Sequence, residues 1–203
     1  MAAVVRRPGL LLLLIVGLML SLALPSAAEA GPEGPYPGGG RIDLGGGWRF
    51  QGESGAGGLA RFGWQADRHW MLGIELGFNW YRLRPAQAAG DVNAFKLRVT
   101  GTYQILTEGL VLPYVAVGAG YDLVTVSGND NTAESGAAGY FAGLGVYIPL
   151  TGRLGLVIED RFDIANANVS FAGAPLSIAG GGNLLWMGLV ITFPPEAGRV
   201  LAP

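Results

Sequence analysis

The stretch WMLGIELGFNWYRL, residues 70–83, sorts by parity into Trp70, Leu72, Ile74, Leu76, Phe78 and Trp80 on one side and Met71, Gly73, Glu75, Gly77, Asn79 and Tyr81 on the other. A repeat of two is the period of a β-strand. A water-soluble sheet turns its bulky face onto a core, whereas a membrane-spanning barrel turns it to lipid and keeps the polar face inside. The other segments of the chain decide between the two.

Seven more segments alternate in the same way: 41–51, 58–66, 93–105, 112–123, 139–148, 154–162 and 183–193. In NAFKLRVTGTYQI (93–105), for example, Phe95, Leu97, Val99, Tyr103 and Ile105 oppose Lys96, Arg98, Thr100, Thr102 and Gln104. Most segments have the ~9–11 residues that a tilted strand needs to cross a bilayer. The connections at 67–69, 106–110 and 149–153 are short, while 51–57, 84–92, 125–138 and 165–182 are longer and rich in Gly, Ala, Asn and Ser. Short turns at one end and long loops at the other are the habit of up-and-down membrane barrels. The pattern therefore predicts an all-β, eight-stranded antiparallel up-and-down transmembrane β-barrel with both chain ends at the short-turn, periplasmic side.

This topology gives each strand a direction and places the bulky-face aromatics by depth. Trp48, Phe50, Phe78, Trp80, Phe95, Tyr121, Tyr140 and Phe162 gather near the extracellular ends, and Trp64, Trp70, Tyr103 and Phe193 near the periplasmic ends. The positions between are mostly aliphatic or small, the banding that membrane interfaces impose. The opposite face carries many glycines, which suit the crowded inside of a narrow barrel better than a solvated exterior. A secreted lipocalin-like binding barrel is the alternative fold, and it predicts a charged exterior.

Turned inward, the polar face brings Arg41, Asp43, Arg49, Arg61, Glu75, Lys96, Arg98, Asp122, Glu159 and Arg161 into the lumen. The bore of an eight-stranded barrel is just wide enough for side chains to fill. Charges buried there must pair and hydrogen-bond. An ion-pair network of Glu75, Lys96, Arg98, Asp122, Glu159 and Arg161 is expected, with Lys96 and Asp122 as the first pair. Asp160 falls on the lipid face and is expected at the extracellular rim, where a charge costs little.

The N-terminus sets the compartment. Arg6 and Arg7 precede an apolar run from Leu10 to Leu24, followed by Pro25 and Ala28-Glu29-Ala30. This is the layout of a secretory signal peptide (1–30) cleaved after Ala30. A Pro/Gly linker (31–40), the barrel (41–193) and a tail (194–203) complete the expected organisation. The destination is the cell outer membrane. With 13 Lys+Arg against 15 Asp+Glu and no basic run beyond the signal, no nucleic acid is expected as a partner. The absence of cysteine removes disulfides and thiol chemistry.

Catalytic signals are thin. His69, the single histidine, falls in a predicted periplasmic turn without a Ser or Asp companion placed for a triad. Alternation sends Glu159 and Asp160 to opposite faces, so they cannot act as a carboxylate pair. No catalytic residue, metal site or cofactor is expected, Asp130 being only a polar-loop residue. The expected role is non-enzymatic, structural or through loop-mediated surface contacts; a small channel for ions or apolar solutes is the alternative.

In PYVAVGAGYDL (113–123), GYFAGLGVYIPLTGRLGLVIEDRF (139–162) and WMGLVITF (186–193), the chain resembles the opacity-protein-like outer-membrane β-barrel family and, with it, the transmembrane domain of outer membrane protein A. The resemblance spans 41–193. It implies a porin-like or OmpA-like barrel of the Gram-negative cell envelope, in a family of adhesins and structural proteins. The implied partners are outer-membrane lipid, the barrel-assembly machinery during biogenesis and a surface ligand held by the extracellular loops; a monomer is expected. One departure stands out. Family members usually end on an aromatic residue, whereas here Phe193 is followed by PPEAGRVLAP.

Overall fold

The computed structural model of the chain describes residues 38–50, 55–82, 90–105, 110–128, 131–171, 174–179 and 181–193. The expected signal peptide, most of the linker, the turn around Glu108, Asp130 and the tail lie outside the described residues.

Period-two segments became strands: β1 (Gly40–Arg49), β2 (Gly55–Gln65), β3 (Trp70–Arg82), β4 (Asp91–Gln104), β5 (Leu112–Gly128), β6 (Asn131–Pro149), β7 (Leu154–Phe171), β8 (Ala174–Ala179) and β9 (Gly182–Phe193). Among the described residues there is no helix. Each of β1 to β7 pairs antiparallel with the next, β7 pairs with β9, and β9 pairs with β1. Below the extracellular extensions the sheet thus closes into an eight-stave barrel, so that its staves are paired on both sides where a sheet in hydrocarbon requires it.

The eighth stave is interrupted. Asp163 faces Gly182 on β9, and three residues further Asn166 faces Ala179 on β8, so both strands keep one register against β7. The break falls at Gly182, whose φ of 141° is a conformation that only glycine adopts easily.

Two expected loops, 125–138 and 165–182, are largely strand. β5, β6 and β7 run 17, 19 and 18 residues, well beyond the length needed to cross a bilayer. Their Gly, Ala, Asn and Ser content resembles loop composition, but the alternation continues through it. Val124, Val126, Ala167 and Val169 turn inward and pack with Tyr81, Val92 and Ile178 into an apolar cluster at the extracellular end. That burial holds the extensions together as sheet.

Paired residues trace the shear of the barrel. From Trp80 the row runs through Ala56, Trp48, Leu185, Asp160, Leu144, Val115 and Tyr103 to Trp70, and so returns to β3 displaced by ten residues. Ten residues of offset over eight strands corresponds to a tilt of about 40°. One circuit descends about 25 Å, the height of the apolar band of such barrels. The row begins in the extracellular aromatic group and ends in the periplasmic one.

Asp160 lies four strands from each end of that row, and therefore at mid-depth on the outer wall. The expectation that it sits at the extracellular rim is wrong. That placement assumed that β7 ends near Phe162, whereas β7 runs to Phe171 and lifts the rim by nine residues.

Candidate functional site: the lumen and the outer belt

The outer belt follows from side-chain parity. Trp48, Trp64, Trp70, Trp80, Tyr103, Tyr121, Phe162 and Phe193 all lie on the exterior surface. Trp80 is 41% exposed while Glu75, five residues earlier on the same strand, is 0% exposed. An apolar exterior around a charged interior removes the lipocalin-like alternative. At the periplasmic end, His69 stacks on Tyr103 with ring centroids 5.4 Å apart, and its Nδ1 lies 3.0 Å from the carbonyl oxygen of Gln104. The Asp67 carboxylate accepts from the backbone N–H of Trp70 at 2.8 Å and of His69 at 2.7 Å. Those two bonds hold its pKa below the usual 3.8.

Inside, all ten charged residues that parity assigned to the lumen are buried. Their pairing has a centre. Arg161 donates to both oxygens of Glu75, Nη1 to Oε2 and Nη2 to Oε1, each at 2.8 Å. Arg61 reaches Glu75 at 3.2 Å and Glu159 at 3.1 Å, and the Tyr114 hydroxyl donates to Glu159 at 2.7 Å. The Phe141 ring lies under the Arg161 guanidinium, 3.5 Å from its centroid, a cation–π contact in a desolvated setting.

Nearer the extracellular side, Arg98 grips Asp122 through Nε at 3.1 Å and Nη2 at 2.6 Å, and donates to Asp163 at 2.6 Å. Lys96 donates to Asp163 at 2.5 Å. At the periplasmic side Arg41 bonds Asp43 at 2.5 Å and lies over the Tyr147 ring. Arg49 lies over Tyr81 and donates to the carbonyl of Gly181.

The Lys96–Asp122 pairing is corrected by this geometry. The two residues are register partners, as expected. Their charged ends nevertheless part, because the lysine stem reaches across the bore to Asp163 on β7 while Arg98 takes Asp122 with two bonds. Asp163 was not among the expected members, although its parity matches that of Glu159 and Arg161. Tyr114, also inward by parity, is a further hydrogen-bonding member of the network.

The inward glycines are opposed by the large members. A Cβ at Gly118 would run into the Phe141 ring, and one at Gly145 into the Tyr114 ring. The glycines thus leave room for aromatic and ionic side chains to cross the bore. An internal cavity of about 10 Å³ remains beside Glu75, Lys96 and Arg161, near the lower limit for a single water. Among the described residues, no group of three His, Cys, Asp or Glu is placed to hold a metal ion.

A closed antiparallel barrel, aromatic at two levels outside and charged within, is a transmembrane β-barrel of the outer membrane. The chain belongs to the family of outer membrane protein β-barrel domains, whose model matches residues 14–177. Solved structures share the fold. The outer membrane protein OprG of Pseudomonas aeruginosa aligns with TM-score 0.61 at 11% identity, covering 80% of this chain and 99% of that one. Neisserial surface protein A aligns with TM-score 0.55 at 14% identity, covering 75% and 94%. The N-terminal barrel domain of Pseudomonas aeruginosa OprF gives 0.50 at 15%, covering 77% and 98%. No curated protein matches the chain significantly.

Proposed function

We propose that the protein is a non-enzymatic, non-conducting structural barrel of the outer membrane, whose lumen is held shut by its ion pairs and whose extracellular hairpins make its contacts at the cell surface. The observation that carries this reading is the bridge Arg61–Glu75–Arg161–Glu159, which joins β2, β3 and β7 across the bore. Each member is buried and has an opposite charge within 3.2 Å, so opening a path means separating charges in a setting where that costs several kcal/mol per ion. The lumen network of Glu75, Lys96, Arg98, Asp122, Glu159 and Arg161, joined by Asp163, is on this reading architectural rather than a gate.

Planar-bilayer recording of purified, refolded protein tests it. No step conductance is expected from the wild type. Sustained unit currents would favour the small channel instead. An unchanged mass spectrum of outer-leaflet lipid after overexpression is expected from a barrel without enzymatic action. Export through a cleaved leader predicts a mature N-terminus at Gly31, read by N-terminal sequencing, and assembly by the barrel-assembly machinery predicts loss of the folded form when that machinery is depleted.

A further inference from the structure

Asp160 is out of place in the outer wall. Among the described residues it is the only side chain with an ionisable, amide or hydroxyl group facing outward between the two aromatic bands. Its cross-strand neighbours are Leu144 and Leu185, and its neighbours along the outer face of β7 are Ile158 and Phe162. Its carboxyl makes no hydrogen bond or ion pair within the described residues. Its depth is midway between Trp80 and Trp70, about 12 Å from each and about 5 Å below Phe162, so the short side chain lies among aliphatic neighbours rather than in either band. A groove of about 240 Å³ lies beside it, bordered by Ala142, Gly143, Leu144, Phe162 and Asn183.

We propose that this patch is the contact surface for a second copy of the chain, with the two Asp160 carboxyls meeting at a two-fold axis along the membrane normal. Hydrocarbon supplies no hydrogen-bond partner, so one must come from another membrane-embedded surface. Two barrels inserted in the same direction and related by a two-fold must share an axis along the normal. Each outer side chain near that axis then meets its own counterpart at its own depth. Only a group that both donates and accepts can bond to itself, and a carboxylic acid carrying its proton does so.

The surroundings fit close approach. Ala142 leaves the outer surface low next to Asp160, as small residues do where membrane segments pack. The Asn183 amide, at the extracellular edge of the groove, adds a donor and an acceptor. Apolar side chains gain little by leaving lipid for protein, so the polar pair decides which wall is used. A foreign protein would have to carry its own donor at this depth, which a second copy does by symmetry. On this proposal the protein is a dimer, where the sequence reading expects a monomer.

The chain has no cysteine, so Asp160→Cys introduces its only thiol into the full-length protein. Oxidation in the outer membrane is expected to yield about tenfold more covalent dimer than Ile74→Cys, a control on the wall four strands away. In nanodiscs, native mass spectrometry is expected to show a dimer for wild type and for Asp160→Asn, whose amide still donates and accepts. Asp160→Leu is expected to weaken association by about tenfold, the scale of one hydrogen-bonded pair in a membrane. Heat-modifiable migration confirms that each variant is folded. Equal cross-linking at positions 160 and 74, a covalent product of mass other than twice the chain, or undiminished association of the leucine variant would each overturn the proposal.

Discussion

Arg161 and Glu75 stand 86 residues apart in sequence and meet in the bore through two parallel hydrogen bonds of 2.8 Å. The pair ties β7 to β3, on opposite sides of the ring, and Arg61 bonds the same carboxylate from β2. Barrel closure brings these strands face to face, and the bidentate fork fixes their distance.

Removing Glu75 therefore takes a carboxylate from two buried guanidinium groups and leaves Arg61 and Arg161 to share Glu159. Glu75→Ala is expected to destabilise the folded barrel by about 3–5 kcal/mol, the usual consequence of breaking one side of a buried ion pair. Denaturant unfolding in lipid vesicles, followed by the loss of heat-modifiable migration, measures it. A change under about 0.5 kcal/mol, the level of an ordinary surface substitution, contradicts the central place given to Glu75.

Among the described residues Asp163 receives Lys96 and Arg98 and lies 3.4 Å from Arg161, whereas Asp122 pairs with Arg98 alone. Asp163→Asn is accordingly expected to cost more than Asp122→Asn. A double-mutant cycle sharpens the contrast: Lys96 and Asp163 should show a coupling energy of about 1–3 kcal/mol, and Lys96 with Asp122 clearly less. Coupling to Asp122 as strong as to Asp163 would return the lysine to its register partner.

The periplasmic turn has its own acid dependence. The backbone N–H groups of Trp70 and His69 hold the Asp67 carboxyl below 3.8. A group depressed on folding contributes stability that is present above its unfolded pKa and is lost as pH falls through the folded value. NMR titration of the Asp67 carboxyl is expected to give a midpoint below 3.8. Asp67→Ala should flatten that part of the stability profile at acid pH. A midpoint at or above the ordinary value contradicts the two turn bonds.

Side-chain parity made the barrel legible. Reading Trp80 outward and Glu75 inward needed only the period of two, and the same rule placed Arg41, Arg49 and Arg61 inside. It could not tell which charges meet. Neighbours along a ladder are set by register, but in a narrow bore a long side chain such as Lys96 reaches a strand it never pairs with. Depth was lost where strand ends were misjudged. The Gly, Ala and Asn content of 125–138 and 165–182 reads as loop, and the apolar cluster that makes it strand forms only when Val124, Val169 and Ile178 converge from three strands. Asp160 moved from rim to mid-depth for the same reason.

The most direct test of an apolar exterior around a charged bore uses the tryptophans. Trp80 lies on the outer surface and Trp186 is fully buried inside, against the Arg61 guanidinium. Single-tryptophan variants retaining one or the other, reconstituted into vesicles of acyl-brominated lipid, are expected to show strong quenching of Trp80 and little of Trp186. Quenching of Trp186 equal to or greater than that of Trp80 would mean that the barrel is inside out.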